Sequence, residues 1–123
     1  MTDNKLLMAI VELGGYPDFT PLYEQAGYRV MMFRSVRKAI QALKKESPAV
    51  LVAEFNFQSD FRDRTSSLES LLAAVERIAA CRVVVFYEQE YVHQLDRLRQ
   101  QHTLHTTLAF PIDTQQLKDV LSH

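Results

Sequence analysis

The fold class of this chain is decided by the stretch PAVLVAE at residues 48–54. Its apolar residues follow one another without alternating with polar ones, which is typical of a strand covered on both faces. Strands of this kind occur in parallel sheets that carry helices on both sides. The stretch therefore predicts a central parallel strand that has further strands on either side.

Four other apolar runs have the same character, and segments with helical periodicity separate them. This alternation predicts βα units and one parallel sheet. Because crossovers are right-handed, five units of this size favour the flavodoxin-like strand order 2-1-3-4-5. We therefore expect an α/β, doubly wound, five-stranded parallel sheet with helices on both faces. The predicted strands are residues 6–11, 29–33, 50–54, 82–87 and 106–110.

Capping residues mark several helix starts. Ser35 precedes apolar positions at the spacing of one helical face, and Ser66 with Glu69 has the pattern of a capping box. Asp113 followed by Gln116 predicts the start of the last helix. Weaker patterns predict a short first helix between residues 17 and 26 and a fourth from about residue 91.

Composition is that of an ordinary globular protein, with 47% apolar and 24% charged residues. The 14 basic and 15 acidic side chains leave a formal net charge of −1, so we expect no nucleic-acid partner. No repeat, low-complexity tract or linker divides the chain, and residues 1–123 are predicted to form a single domain.

The chain also lacks the usual signals of secretion and metal binding. Cys81 is its only cysteine, and the first apolar run is short and broken by Glu12, so a cytoplasmic protein without membrane contact is expected. The four histidines lack neighbouring cysteine or acidic ligands, so no metal site is expected. No third glycine after Gly14-Gly15 opens a helix, so no nucleotide cofactor is expected either. We expect Cys81 to pack in the core.

Residues 26–54 contain Gly27, the helix after Ser35 and the strand that ends at Glu54. This segment resembles the second strand, second helix and third strand of response-regulator receiver (CheY-like) domains. The likeness continues through the strand that ends at Tyr87 and through Phe110-Pro111 followed by a capped helix. It covers nearly the whole chain. It implies the flavodoxin-like fold and a role in two-component signal transduction.

The residues that carry receiver chemistry are replaced. The resemblance puts Glu12-Leu13 in place of the acidic pair that holds Mg²⁺, Glu54 in place of the phosphoacceptor Asp, Tyr87 in place of the hydroxyl switch and Phe110 in place of the lysine. Transfer to Glu54 and tight Mg²⁺ binding are not expected, because a Glu carboxylate lies one methylene further out. We expect Tyr87 and Phe110 to close the pocket, and Phe110-Pro111 to be cis.

The leading hypothesis is a stand-alone, non-enzymatic pseudo-receiver that contacts a protein partner or forms a homodimer through its C-terminal helix-strand-helix face. The alternatives are a small-ligand sensor using the vacated pocket beside Glu12, Glu54 and Tyr87, and a receiver with an unusual phosphate acceptor.

Glu54 is either a fixed mimic of a phosphorylated carboxylate or, as we favour, a strand-end residue paired with a basic neighbour. The aromatic residues after the third strand either fold inward or form a docking loop; they are Phe55, Phe57 and Phe61.

Overall fold

The computed structural model describes residues 5–56, 66–78 and 80–122. Five strands form one sheet in the order β2-β1-β3-β4-β5, and every neighbouring pair is parallel. The predicted α/β class and strand order are confirmed. The strands are β1 (Lys5–Ile10), β2 (Tyr28–Phe33), β3 (Val50–Phe55), β4 (Arg82–Tyr87) and β5 (Thr106–Ala109).

Helices cover both faces of the sheet, as expected. One core cluster contains buried residues of the second, third and fourth helices, and a second cluster on the other face contains those of the first and last. We call the second the α1/α5 face. The helices are α1 (Thr20–Gln25), α2 (Val36–Leu43), α3 (Ser66–Val75), α4 (Val92–Gln101) and α5 (Thr114–Leu121), with a short 3₁₀ turn at Gln89–Tyr91.

The capping residues act largely as predicted. The Ser35 hydroxyl accepts a hydrogen bond from the backbone N–H of Lys38, and Asp113 caps α5. Helix α3 begins at Ser66, and the predicted capping contact of that side chain lies outside the described residues.

The central strands are buried as the apolar runs indicate. All six residues of β3 are buried, and the corresponding positions of β1 and β4 are nearly as enclosed. The carboxyl ends of parallel strands meet at one edge of the sheet, so the residues after β1, β3, β4 and β5 lie near one another. Among the helices described, none is long and apolar enough to cross a membrane.

Candidate functional site

The site at this edge is built around the carboxylate of Glu54, near the end of β3. Glu54 is 4% exposed and is the one buried charged side chain among the residues that the structure describes. Its Oε1 accepts hydrogen bonds from the backbone N–H of Leu13 at 3.0 Å and from Asn56 Nδ2 at 3.0 Å. Its Oε2 accepts from the Gly14 N–H at 3.2 Å and from Tyr16 Oη at 2.6 Å. Each carboxylate oxygen therefore has two donors.

The donors that the described residues supply are all neutral, whereas a basic neighbour for Glu54 was expected. A buried charge can be compensated by hydrogen bonds to the charged form as well as by an ion pair. Here two segments supply those bonds: the loop after β1, through two backbone N–H groups and the Tyr16 hydroxyl, and the residue that follows β3. The carboxylate thus ties the loop to the sheet.

The loop at residues 11–19 can reach Glu54 because of its two glycines. Gly14 and Gly15 have φ values of +70° and +82°, a left-handed conformation that side chains with a Cβ rarely adopt. The turn leaves the successive N–H groups of Leu13 and Gly14 directed at one anion, an arrangement known as a nest. In this chain the anion in the nest is the protein's own carboxylate.

Tyr16 closes the site and belongs to a group of four rings that we call the aromatic cluster: Tyr16, Phe19, Phe86 and Phe110. The Tyr16 ring centroid lies 5.9 Å from Phe19, 5.5 Å from Phe86 and 5.3 Å from Phe110. Phe86 also makes edge contacts with Phe19 and Phe110. The space beside Glu54 is consequently filled by apolar rings and one phenol oxygen.

The residue of β4 that faces Glu54 is Phe86, and this corrects the prediction for Tyr87. Glu54 pairs with Phe86 in the β3–β4 register, and Phe86 packs in the α1/α5 cluster. Tyr87 packs against the cluster on the opposite face. Because successive side chains of a strand point to opposite faces, only one of these neighbours can close the site.

The other predicted site residues are only partly brought together. Phe110 is half-buried beside Tyr16, as expected, and its bond to the exposed Pro111 is cis, which confirms that prediction. Leu13 contributes its backbone N–H, while its side chain is 69% exposed. Glu12 is exposed and lines a pocket that does not include Glu54 or Tyr87.

The structure also corrects the docking-loop hypothesis for Phe55. Its side chain is 2% exposed and packs in the core cluster with α2, α3 and α4, so it offers no surface to a partner. It fills the face of the sheet opposite Glu54. Phe57 and Phe61 lie outside the described residues.

Cysteine and histidine residues lie away from Glu54. Cys81 is 6% exposed in the core, as predicted, and burial raises the pKa of its thiol to about 11. His102 Nδ1 lies 2.8 Å from Glu76 Oε2, and the His105 ring accepts a hydrogen bond from the Val83 N–H. Within residues 5–56, 66–78 and 80–122, no group of three or more His, Cys, Asp or Glu could hold a metal ion.

Above about pH 10 we expect the domain to lose stability through Tyr16 and Tyr23. Burial and the hydrogen bond to Glu54 raise the pKa of Tyr16, and burial raises that of Tyr23. In the unfolded chain both phenols ionise at about 10, so that state releases protons which the folded state keeps, and stability falls with rising pH. Urea melts at about pH 8 and about pH 10.5 measure the fall. The loss of stability between the two pH values should be smaller in Tyr16→Phe than in the parent protein. An equal loss would contradict a contribution from Tyr16 ionisation.

Sequence reasoning missed Tyr16, Asn56 and Phe86 as parts of the site. The four valine and phenylalanine positions of β4 are all buried, so the run gives no alternation from which to read the face of Phe86. The turn residues Gly14-Gly15 beside Tyr16 were a usable signal, because two consecutive glycines after a strand indicate a tight, specific backbone path. Asn56 carries no such signal.

Comparison with known proteins supports the fold. No family model matches the sequence, and no curated protein matches it either. A response regulator receiver protein from Sinorhizobium medicae superposes with a TM-score of 0.72 at 16% identity, covering 98% of this chain and 93% of that one. A CheY-like receiver domain protein from Methanospirillum hungatei gives 0.72 at 9% identity, covering 97% and 91%.

A third similar structure is that of a response regulator protein. A response regulator from Burkholderia pseudomallei, solved with a phosphorylated aspartic acid, a calcium ion and citrate, has a TM-score of 0.65 at 14% identity, covering 96% of this chain and 66% of that one. At such identities the likeness concerns the fold. The chain therefore has the flavodoxin-like fold of receiver domains.

Proposed function

We propose that this chain is a non-catalytic, receiver-like signalling or protein-interaction module that is not phosphorylated at the position usual for receivers. The observation that carries the proposal is the buried Glu54 carboxylate, with two hydrogen-bond donors on each oxygen. The role of Glu54 in this proposal is structural: it holds the loop at residues 11–19 in one conformation. The module acts by binding a protein partner or a second copy of itself.

The geometry of Glu54 is unsuited to accepting a phosphoryl group. A nucleophilic carboxylate has to present an oxygen lone pair in line with the phosphorus of the donor. Both oxygens of Glu54 are already hydrogen-bonded, and the Tyr16 ring lies over the site against Phe86 and Phe110. Phosphoryl transfer would require Tyr16 and the loop to move away together, with the loss of several hydrogen bonds.

The surroundings of Glu54 also provide little for Mg²⁺, which prefers several oxygen ligands in near-octahedral geometry. At the positions that resemble the receiver acidic pair, Glu12 is exposed and Leu13 supplies only its backbone N–H. This supports a site that does not depend on the metal. Without that cation, the charge of an incoming phosphate would repel the buried carboxylate.

Incubation with acetyl phosphate and Mg²⁺, followed by intact-protein mass spectrometry, tests the proposal. We expect no phosphoryl adduct on the protein or on Glu54→Asp, which restores the usual residue type but not the metal ligands. A phosphorylatable receiver run in parallel controls for the reagent. An adduct that Glu54→Gln abolishes would overturn the proposal, and light scattering with and without reagent would show any change in self-association.

A further inference from the structure

A pocket of about 300 Å³ lies between the loop at residues 11–19 and the α1/α5 face of the sheet, at the carboxyl ends of β1 and β2. Its floor comes from Ala9 and Val52, and Phe19 and Tyr23 line its α1 side. Aromatic rings fill the space beside Glu54 where a vacated pocket was predicted, so the open space lies nearer to β2. Since a cavity of about 150 Å³ accommodates benzene and ligand pockets begin at about 300 Å³, this pocket suits a molecule with one ring.

The exposure of Met32 shows that this space is open to solvent. Met32 pairs with Ala9 in the β1–β2 register and therefore lies on the same face of the sheet. Ala9 is buried, whereas Met32 is 40% exposed and lines the pocket. An apolar ligand would cover the methionine side chain, and the burial of that surface would favour binding.

The Tyr23 hydroxyl is a hydrogen-bonding group that has no partner at this pocket. Tyr23 is 3% exposed, yet its hydroxyl makes no hydrogen bond with any residue that the structure describes. The other two tyrosines of the α1/α5 face have partners, since Tyr16 donates to Glu54 and Tyr28 to the Leu121 carbonyl. Buried tyrosine hydroxyls usually have a partner, so that of Tyr23 is available to a ligand.

The Tyr23 hydroxyl lies on the pocket side of α1. Side chains of a helix lean towards its N-terminus, and the pocket lies at that end of α1, next to Asp18 and Phe19. Burial and, to a smaller extent, the Asp18 carboxylate raise the pKa of Tyr23, so the phenol stays protonated at neutral pH and can donate. Asp18 is exposed, and its charge would repel an anion that approached the hydroxyl.

We infer that this pocket binds a small neutral aromatic molecule that carries one hydroxyl or carbonyl group. The ligand ring would pack on the apolar floor against Phe19 and Tyr23, whose own ring centroids are 6.4 Å apart in an edge arrangement. The ligand oxygen would accept a hydrogen bond from Tyr23. A charged group would lose more hydration than one neutral phenol can replace. The inference goes beyond the proposed interaction function and does not depend on it.

Titration with benzyl alcohol, followed by NMR of the methionine methyl groups, tests the inference. A bound aromatic ring shifts nearby methyl signals, so we expect a saturable shift at Met32. The expected dissociation constant is about 1 mM, which is reasonable for a ligand of about eight non-hydrogen atoms. Met31, the neighbour of Met32 on the opposite face, and the buried Met8 are internal controls. Benzoate and benzylamine, which carry a carboxylate and an ammonium group on the same ring, should bind more weakly.

Tyr23→Phe tests the hydrogen bond itself, because it removes the hydroxyl and keeps the ring. It should weaken benzyl alcohol binding about three- to tenfold, the effect of one hydrogen bond, and leave the binding of toluene unchanged. Because the hydroxyl has no partner in the described part of the protein, the variant should have a urea midpoint equal to or above that of the parent. Tyr87→Phe, which removes a phenol hydroxyl on the opposite face, should leave both affinities unchanged.

The inference is overturned if benzyl alcohol gives no saturable shift of Met32 below about 10 mM, or if Tyr23→Phe binds it as tightly as the parent protein does. Tighter binding of benzoate or benzylamine than of benzyl alcohol would also overturn it, since the ligand class would then be charged. A lower urea midpoint of Tyr23→Phe would reveal an internal partner of the hydroxyl and would contradict the inference as well. Each of these results would leave the phosphorylation experiment, and so the proposed function, unaffected.

Discussion

Replacing Phe86 by alanine is expected to lower the free energy of unfolding by about 3–5 kcal/mol, the range for deleting a fully buried aromatic side chain. Phe86 is 0% exposed and lies at the centre of the aromatic cluster, with ring centroids 5.5 to 6.1 Å from those of Tyr16, Phe19 and Phe110. Its removal would leave a void between the sheet and the loop that binds Glu54. Urea denaturation measures the change.

Two neighbours provide matched controls for Phe86→Ala. Tyr87 follows in the same strand but packs partly exposed on the opposite face, and Phe110 is half-buried at the rim of the cluster. Alanine at either position should cost less than about 3 kcal/mol, because less apolar surface is buried there. If Tyr87→Ala proved more damaging than Phe86→Ala, Tyr87 would be the residue that closes the site, as the sequence alone suggested.

Replacing Glu54 by alanine is expected to cost about 2–4 kcal/mol, since hydrogen bonds to a charged group contribute about 1.5–3 kcal/mol each and do not add. The variant removes the acceptor of four donors at once and leaves the Leu13 and Gly14 N–H groups without their anion. The loop would lose its attachment to β3. Denaturant melts, with hydrogen exchange of the Leu13 and Gly14 amides, measure both effects.

Conservative variants separate the charge of Glu54 from its hydrogen bonds. Tyr16→Phe removes one donor and leaves the carboxylate with three, so it should cost about 0.5–1.5 kcal/mol. Glu54→Gln keeps one acceptor oxygen but places an amide N–H₂ group among hydrogen-bond donors. Its loss of unfolding free energy should lie between those of Tyr16→Phe and Glu54→Ala. If Glu54→Ala melted like the parent protein while abolishing partner binding, the carboxylate would have a functional rather than structural role.

The sequence predicted the architecture because apolar patterning records burial. The unbroken run at Val50–Phe55 marks a strand covered on both faces, and the short connections with right-handed crossovers restrict the strand order. Local hydrogen bonds can also be predicted from sequence, since the Ser35 cap joins atoms of residues that are only three positions apart. That Glu54 stands at the phosphoacceptor position of receivers, and that the usual acidic pair is replaced, stay predictions from the resemblance.

The interior of the site was decided by tertiary structure. The carboxylate of Glu54 binds loop atoms about 40 residues earlier in the chain, and no local pattern records that approach. Whether Phe86 or Tyr87 faces Glu54 depends on strand register, and a shift of one residue exchanges the two faces. The sequence by itself thus determined which segments are buried and in what order they pair. Only the packed sheet determined which side chains meet, because contacts between distant segments depend on register and loop path rather than on composition.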